Sequence, residues 1–215
     1  SEPEVGKHTD EGTMTTAAGL VSYAASAMQG YRVSMEDQHT CVVDFGGLTE
    51  HAFFCVYDGH GGAQAAIVAA ELMVSTIQED AQFKVYAASV AADGKGGDMA
   101  ALAIALETAY IALDAKLRAR PDVGDSGSTV CGFVLTPEHI VCANAGDSRG
   151  CLCRRGADGG IVAVPLSHDH KPSDPEEEAR IIKAGGFVSQ GAMRMGPMRV
   201  DGNLAVSRGL GDFCL

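Results

Sequence analysis

Three short stretches hold the residues best suited to chemistry. In FFCVYDGHGG, residues 53–62, an apolar strand-like run stops at Asp58 and is followed by Gly59, His60, Gly61 and Gly62. A strand ending in Asp-Gly can aim a carboxylate and a backbone carbonyl the same way, giving hard oxygen donors suited to Mg²⁺ or Mn²⁺. Glycine permits that close approach. His60, outside any soft-ligand cluster, suits a proton donor or acceptor better than a metal ligand. The same residues also read as a tight strand-to-helix turn capped by Asp58, and this stretch alone leaves both readings open. In GYRVSMEDQHT, 30–40, Arg32, Glu36 and Asp37 crowd ahead of a strand; taken alone this is a solvated turn with an Arg–Glu ion pair of little worth. In NAGDSRG, 144–150, Asp147 sits in a turn between strands, where most aspartates bond only to nearby backbone. HDHKPSD, 168–174, has histidines flanking an acid without zinc spacing, and its proline and helix cap give it a structural reading.

The elements that must position these residues follow from periodicity. Residues 1–19 are polar and aperiodic through about residue 17 and read as a loose arm. From Leu20 the alternation of Val21, Tyr23 and Ala25, then QHTCVVDF and HAFFCVYD around Gly46-Gly47, predicts three strands with antiparallel pairing. Helical spacing over 62–80 and 98–120 predicts two long helices, joined through the glycine-rich linker AADGKGGD. Lys95 lies within that linker, but no phosphate-loop signature accompanies it. STVCGFVL, HIVCANAG, RGCLCRRG and IVAVPLS predict a meander of short strands, and Asp174-Pro175 opens a helix that stops at Gly185-Gly186. Strands, then helices, then strands imply an α+β sandwich rather than a doubly wound sheet.

Composition narrows the partners. A net charge of −12 argues against nucleic acid or an anionic membrane, and a phosphate site on such a chain needs a local arginine or a bound cation. No run approaches the roughly 20 apolar residues that span a bilayer. Seven cysteines, an odd number set mostly in apolar runs, read as reduced core thiols, with strand alternation accounting for Cys151 and Cys153. The expectation is a single-domain, monomeric intracellular protein, cytoplasmic or nuclear.

Read together, SAMQGYRVSMEDQHT, FFCVYDGHGG, SGSTVCGFVL, ANAGDSRGCLCRRG, LSHDHKPSDPEEEARIIKAGGFV and RVDGNLAVSRGLGDF resemble, in order, the metal-dependent protein serine/threonine phosphatases of the 2C type. The resemblance runs from about Tyr23 to Phe213, so residues 20–215 are expected to form the phosphatase domain. It implies a central β-sandwich of two antiparallel sheets flanked by helices, with two Mg²⁺ or Mn²⁺ ions per site in the complete domain. It also implies a phosphorylated protein as substrate, hydrolysed by metal-activated water without a phosphoenzyme. Asp58 matches the carboxylate bridging both metals and Gly59 the glycine lending its carbonyl. Glu36 and Asp37 match acids that act largely through metal-bound water, and Arg32 matches the arginine that grips the substrate phosphate. His60 matches the general acid for the leaving hydroxyl, Asp147 an acid near an additional metal position, and 168–188 the flap beside the site.

Family members continue past GDFCL through strands that bring two further metal-binding aspartates, in an Asp-Gly and an Asp-Asn pair. The chain is therefore expected to be a piece of a longer phosphatase with its last strands missing. The alternative is a non-catalytic or weakly active phosphoprotein-binding fragment. SQGAMRMGPMRVDGN, 189–203, is longer than the family's turn and is expected to be a flexible insertion.

Overall fold

The computed structural model describes residues 4–93, 96–191 and 196–214. The chain opens with β1 (Glu4–Thr16), which turns back into β2 (Gly19–Gly30) as an antiparallel hairpin. The arm expected to be loose over 1–19 is thus a paired strand from Glu4 onward. Its polar, glycine-containing sequence hid a strand whose order comes from the partner, with Thr9 opposite Ser26 and Met14, buried, opposite Val21.

Next come β3 (Gln38–Val43), a short 3₁₀ turn, β4 (Ala52–Tyr57) and β5 (Gly59–His60), then α1 (Gln64–Glu79), α2 (Ala81–Asp93) and α3 (Met99–Arg118). α2 is a helix the sequence pattern did not single out. It is alanine-rich with few large apolar residues, but Asp80 caps it by accepting from Gln82 N at 2.7 Å, and buried Phe83 and Tyr86 pack on Phe45 and His51 of the β3–β4 connection. Asp98 caps α3 in the same way. Lys95 of the expected linker lies outside the described residues.

β6 (Gly127–Ser128), β7 (Val130–Leu135) and β8 (Ile140–Ala145) lead to the hairpin of β9 (Cys151–Arg155) with β10 (Ile161–Pro165). α4 (Pro175–Lys183) starts at the Asp174 cap as its sequence predicts. β11 (Val188–Gln190) pairs with β12 (Met198–Val200), so the stretch expected to be a flexible insertion contains a short hairpin; Met193 and Met195 lie outside the described residues. β13 (Leu210–Gly211) closes the series.

The main sheet is four-stranded and antiparallel in the order β3-β4-β7-β8. Phe53, Cys55, Tyr57, Val130 and Val134 face the helices and form one dry core with Met73, Ile77, Leu102, Leu113 and Leu117. Its opposite face meets the β1–β2 hairpin, where Tyr23 packs on Phe54 at 4.9 Å between ring centroids, across a cavity of about 640 Å³. The facing layer of the expected sandwich is present as separate hairpins rather than one continuous sheet. Only part of the cysteine expectation holds. Cys55 and Cys131 are buried, whereas Cys151, Cys153 and Cys214 are exposed, and none is bridged. Among the described residues no helix is long and apolar enough to cross a membrane.

Candidate metal and phosphate site

Asp58 leaves the end of β4 where two depressions meet. One, of about 200 Å³, is lined by Arg32, Glu36, Asp37 and Gly59 as well as Asp58. The other, of about 360 Å³, is lined by Asp58, His60, Thr129, Asp147 and Arg199. The structure therefore gathers Arg32, Glu36, Asp37, Gly59, His60 and Asp147 around one carboxylate.

Whether Asp58 is a cap or a ligand is decided locally. It does not cap α1: Ala63 occupies the N-cap position without a side-chain bond, and Ser126 Oγ accepts from Ala65 N at 3.0 Å instead. Among the described residues no hydrogen bond reaches the Asp58 carboxylate. The backbone, by contrast, is fixed, since Asp58 N donates to Thr129 Oγ1 at 3.2 Å and Thr129 N donates to Asp58 O at 2.9 Å. Thr129 Oγ1 is in turn 2.6 Å from Ser148 Oγ. A rigid backbone thus presents an uncommitted charge.

Electrostatics sharpen that point. Burial, then the carboxylates of Asp37 and Asp147, push the Asp58 carboxyl up, with His60 and Arg32 pulling the other way. Such a surplus of negative charge is what a divalent cation offsets. The carboxylates of Asp58, Glu36 and Asp37 and the Gly59 backbone offer oxygen donors in one depression, and the His60 ring lines the other. These oxygens fit a hard cation and do not fit a thiolate-loving one. Among the described residues Glu36, Asp37 and Asp58 do not bring one ligand atom each to within 4.8 Å of one another. Gly59 has no room for a side chain, because a Cβ there would stand 2.3 Å from the Glu36 carbonyl oxygen. That contact holds the Glu36 segment against the end of β4.

The Arg–Glu ion pair considered for residues 30–40 is not made among the described residues. Glu36 accepts from Ser34 Oγ at 3.1 Å, and Arg32 is exposed, its carbonyl taking a bond from Gln29 Nε2 at 2.8 Å. Among the described residues its guanidinium makes no ion pair. Among the described residues Asp147 makes no side-chain turn bond; it pairs with Lys171.

The sequence reading missed the partner of His60. β13 pairs with β6, and β6 with β5, in one small three-stranded sheet. This brings Asp212, just beyond β13, over Gly127 to His60, whose Nε2 donates to its carboxylate with both oxygens at 2.9 Å. Gly127 must be glycine, since a Cβ would lie 2.2 Å from Asp212 Oδ2. The Asp212 hydrogen bond, opposed by burial and reinforced by the charges of Asp212, Asp58 and Asp147, pushes the His60 pKa up. The GLGDF block that contains Asp212 was visible in the sequence, but nothing local joined it to His60. Arg199, a further cation on the His60 side, was likewise not singled out.

The HDHKPSD segment caps α4 through Asp174 and is tied to the β8–β9 turn. Asp169 accepts from Arg149 Nε and Nη2 at 2.9 and 2.8 Å, and His170 Nδ1 accepts from Gly146 N at 3.1 Å. Within α4, buried Glu177 takes bonds from Arg208 and Arg180. Burial works against its ionisation, but these arginines prevail and hold its carboxyl at about 2.

Comparison with protein-family models matches the family described as "Protein phosphatase 2C" over residues 21–215. Among curated proteins, "Protein phosphatase 1A" of Bos taurus is 38% identical over 218 residues, covering 99% of this chain and 51% of that protein. "Protein phosphatase 1B" of Homo sapiens is 36% identical over 222 residues, covering 99% and 42%. The chain spans about half the length of the curated relatives it matches. Among solved structures, "serine-threonine phosphatase 2C from Toxoplasma gondii" superposes with a TM-score of 0.72 at 21% identity, covering 98% of this chain and 70% of that one. A "C.elegans sex determining protein" gives 0.66 at 22%, covering 99% and 45%. At these identities the two structures speak to the fold.

Proposed function

The chain belongs to the protein phosphatase 2C family, and from that premise we propose that it serves hydrolysis of phosphoserine and phosphothreonine in proteins, with Mg²⁺ or Mn²⁺ as cofactor. The observation that carries this reading is Asp58: a backbone-fixed carboxylate with no hydrogen-bond partner among the described residues, destabilised by neighbouring acids and shared by two depressions. Asp58 and the Gly59 carbonyl would hold the metal directly, with Glu36 and Asp37 reaching it through water and Asp147 beside an additional position. When bound, the cations supply Lewis acidity that makes a water nucleophilic and offsets charge on the phosphoryl oxygens.

The protein's own residues do the rest. Arg32 grips the phosphoryl oxygens through paired N–H donors and stabilises the charge that builds on them. His60 gives a proton to the departing serine or threonine oxygen. Because Nε2 is bound to Asp212, Nδ1 is the atom from which that proton leaves, and the Asp212 hydrogen bond favours the protonated ring. Arg32 lies in one depression and His60 in the other, so the grip on the phosphoryl group and the proton for the leaving oxygen come from depressions that meet at Asp58.

The reading includes a phosphoprotein partner, a monomeric state and an intracellular, cytoplasmic or nuclear location. The charge of −12 supports leaving out nucleic acid and anionic membranes. The test is phosphate release from a phosphothreonine peptide with Mn²⁺. Turnover is expected, falling about 10²- to 10⁴-fold in His60→Gln through kcat. In Arg32→Ala the loss should reach both kcat and KM. Phosphopeptide binding through Arg32 with no turnover by the folded, metal-loaded protein would favour the phosphoprotein-binding reading instead.

A further inference from the structure

A second group of donor atoms lies between the layers. Asp10 on β1 and His39 and Cys41 on β3 bring a carboxylate oxygen, a ring nitrogen and a sulfur all within 4.8 Å of one another. Strand geometry explains why. Residues two apart on a strand share a face, and His39 and Cys41 stand opposite Val56 and Phe54 on β4. That is the face turned from the helices, and through Phe54 and Tyr23 it meets the hairpin. Asp10, opposite Ala25 in the hairpin, is half-buried on the side that looks back at it.

The donors are not committed elsewhere. Among the described residues the His39 ring makes no hydrogen bond and Asp10 no ion pair; Asp10 is engaged only with the Cys41 thiol and the field of Tyr23. The chemistry also differs from that around Asp58. Sulfur and imidazole nitrogen favour a borderline-soft ion, whereas the carboxylates of Asp58, Glu36 and Asp37 favour Mg²⁺ or Mn²⁺. Three protein ligands leave the fourth tetrahedral position for water.

We infer that Asp10, His39 and Cys41 form a transition-metal site that takes Zn²⁺ and pins the β1–β2 hairpin to β3. On binding, the thiol proton passes to solvent as the sulfur–zinc bond forms, with no change of oxidation state. Because the ligands come from two segments about thirty residues apart in sequence, the ion favours the folded pairing over the open chain. This site is independent of the phosphatase reading and stands whether or not turnover is found.

The test uses the protein with Cys151→Ser, Cys153→Ser and Cys214→Ser, which removes the exposed thiols, and Co²⁺ as a spectroscopic stand-in for Zn²⁺. A thiolate-to-cobalt charge-transfer band is expected that Zn²⁺ displaces, that survives Asp58→Asn, and that is lost in Cys41→Ser. His39→Gln and Asp10→Asn should each weaken Co²⁺ binding at least about tenfold, which keeps the test decisive if Cys41→Ser fails to fold. Zn²⁺ should also slow amide exchange along β1. A missing band, or one indifferent to both Cys41→Ser and His39→Gln, would overturn the inference.

Discussion

The helix-covered face of the main sheet and the latched region from Gly146 to Asp212 are held together by opposite means. The first is a dry core in which Phe53, Tyr57, Met73, Leu102 and Leu113 are completely buried. The second relies on charge: Lys171 with Asp147, Arg149 with Asp169, Arg208 and Arg180 with Glu177, and His60 with Asp212. Apolar packing is indifferent to pH and tolerates no charge, so it can anchor the strands but not do the chemistry. Ion pairs bring charged side chains to the surface in fixed places, and their stability depends on protonation. Asp58 sits on the seam, its backbone held firmly and its carboxylate without a hydrogen-bond partner among the described residues.

The sharpest way to break this contrast is in the core. Leu102→Ala should cost about 2–5 kcal/mol in urea unfolding, by a nearly constant amount across pH, while leaving Mn²⁺ affinity unchanged. Next comes Glu177→Gln, expected to cost on the order of 3 kcal/mol at neutral pH, because it strips a buried carboxylate from two arginines. Here the sign can be worked out. The folded pKa, about 2, lies below the ordinary 4.5, so the stabilisation is complete above about 4.5 and fades as pH falls toward 2. The gap between Glu177→Gln and the parent should therefore narrow on acidification, where the Leu102→Ala gap does not. A pH-independent gap would mean that Glu177 acts by packing.

Smaller in stability, but aimed at the site, is Asp212→Asn. The His60 pKa is raised chiefly by Asp212, so the variant's ring should titrate lower by NMR and phosphate release should fall. The stability that the pair contributes is present below the ordinary histidine pKa and is lost as pH rises through the raised one, so the variant's deficit should be largest in mild acid. Smallest of all on the fold is Asp58→Asn. Its carboxyl is pushed up by burial and by Asp37 and Asp147, so ionised Asp58 disfavours folding. The amide should raise the melting temperature slightly in metal-free buffer above neutral pH.

Local order carried much of this structure. The run ending at Asp58, the cap at Asp174 and the alternating strands of the main sheet were all readable, because each depends on neighbours in sequence. The missed features depend on distant ones. Asp212 reaches His60 across 152 residues, and only the pairing of β13 with β6 and β6 with β5 makes that bond. β1 is ordered by β2 rather than by its own apolar pattern, and α2 is fixed by the Asp80 cap and by two aromatic anchors in an alanine-rich stretch. The six ordered blocks pointed to Asp58 as a candidate ligand, but its charge surplus became visible only with Asp37 and Asp147 in place beside it.

The account rests on Asp58 being kept unpaired for a cation. The direct measurement is Mn²⁺ binding followed by electron paramagnetic resonance in the parent protein and in Asp58→Asn. The prediction is bound Mn²⁺ in the parent and at least about a tenfold loss of affinity in the variant, with the fold intact by circular dichroism. Equal Mn²⁺ binding in the two proteins would contradict it.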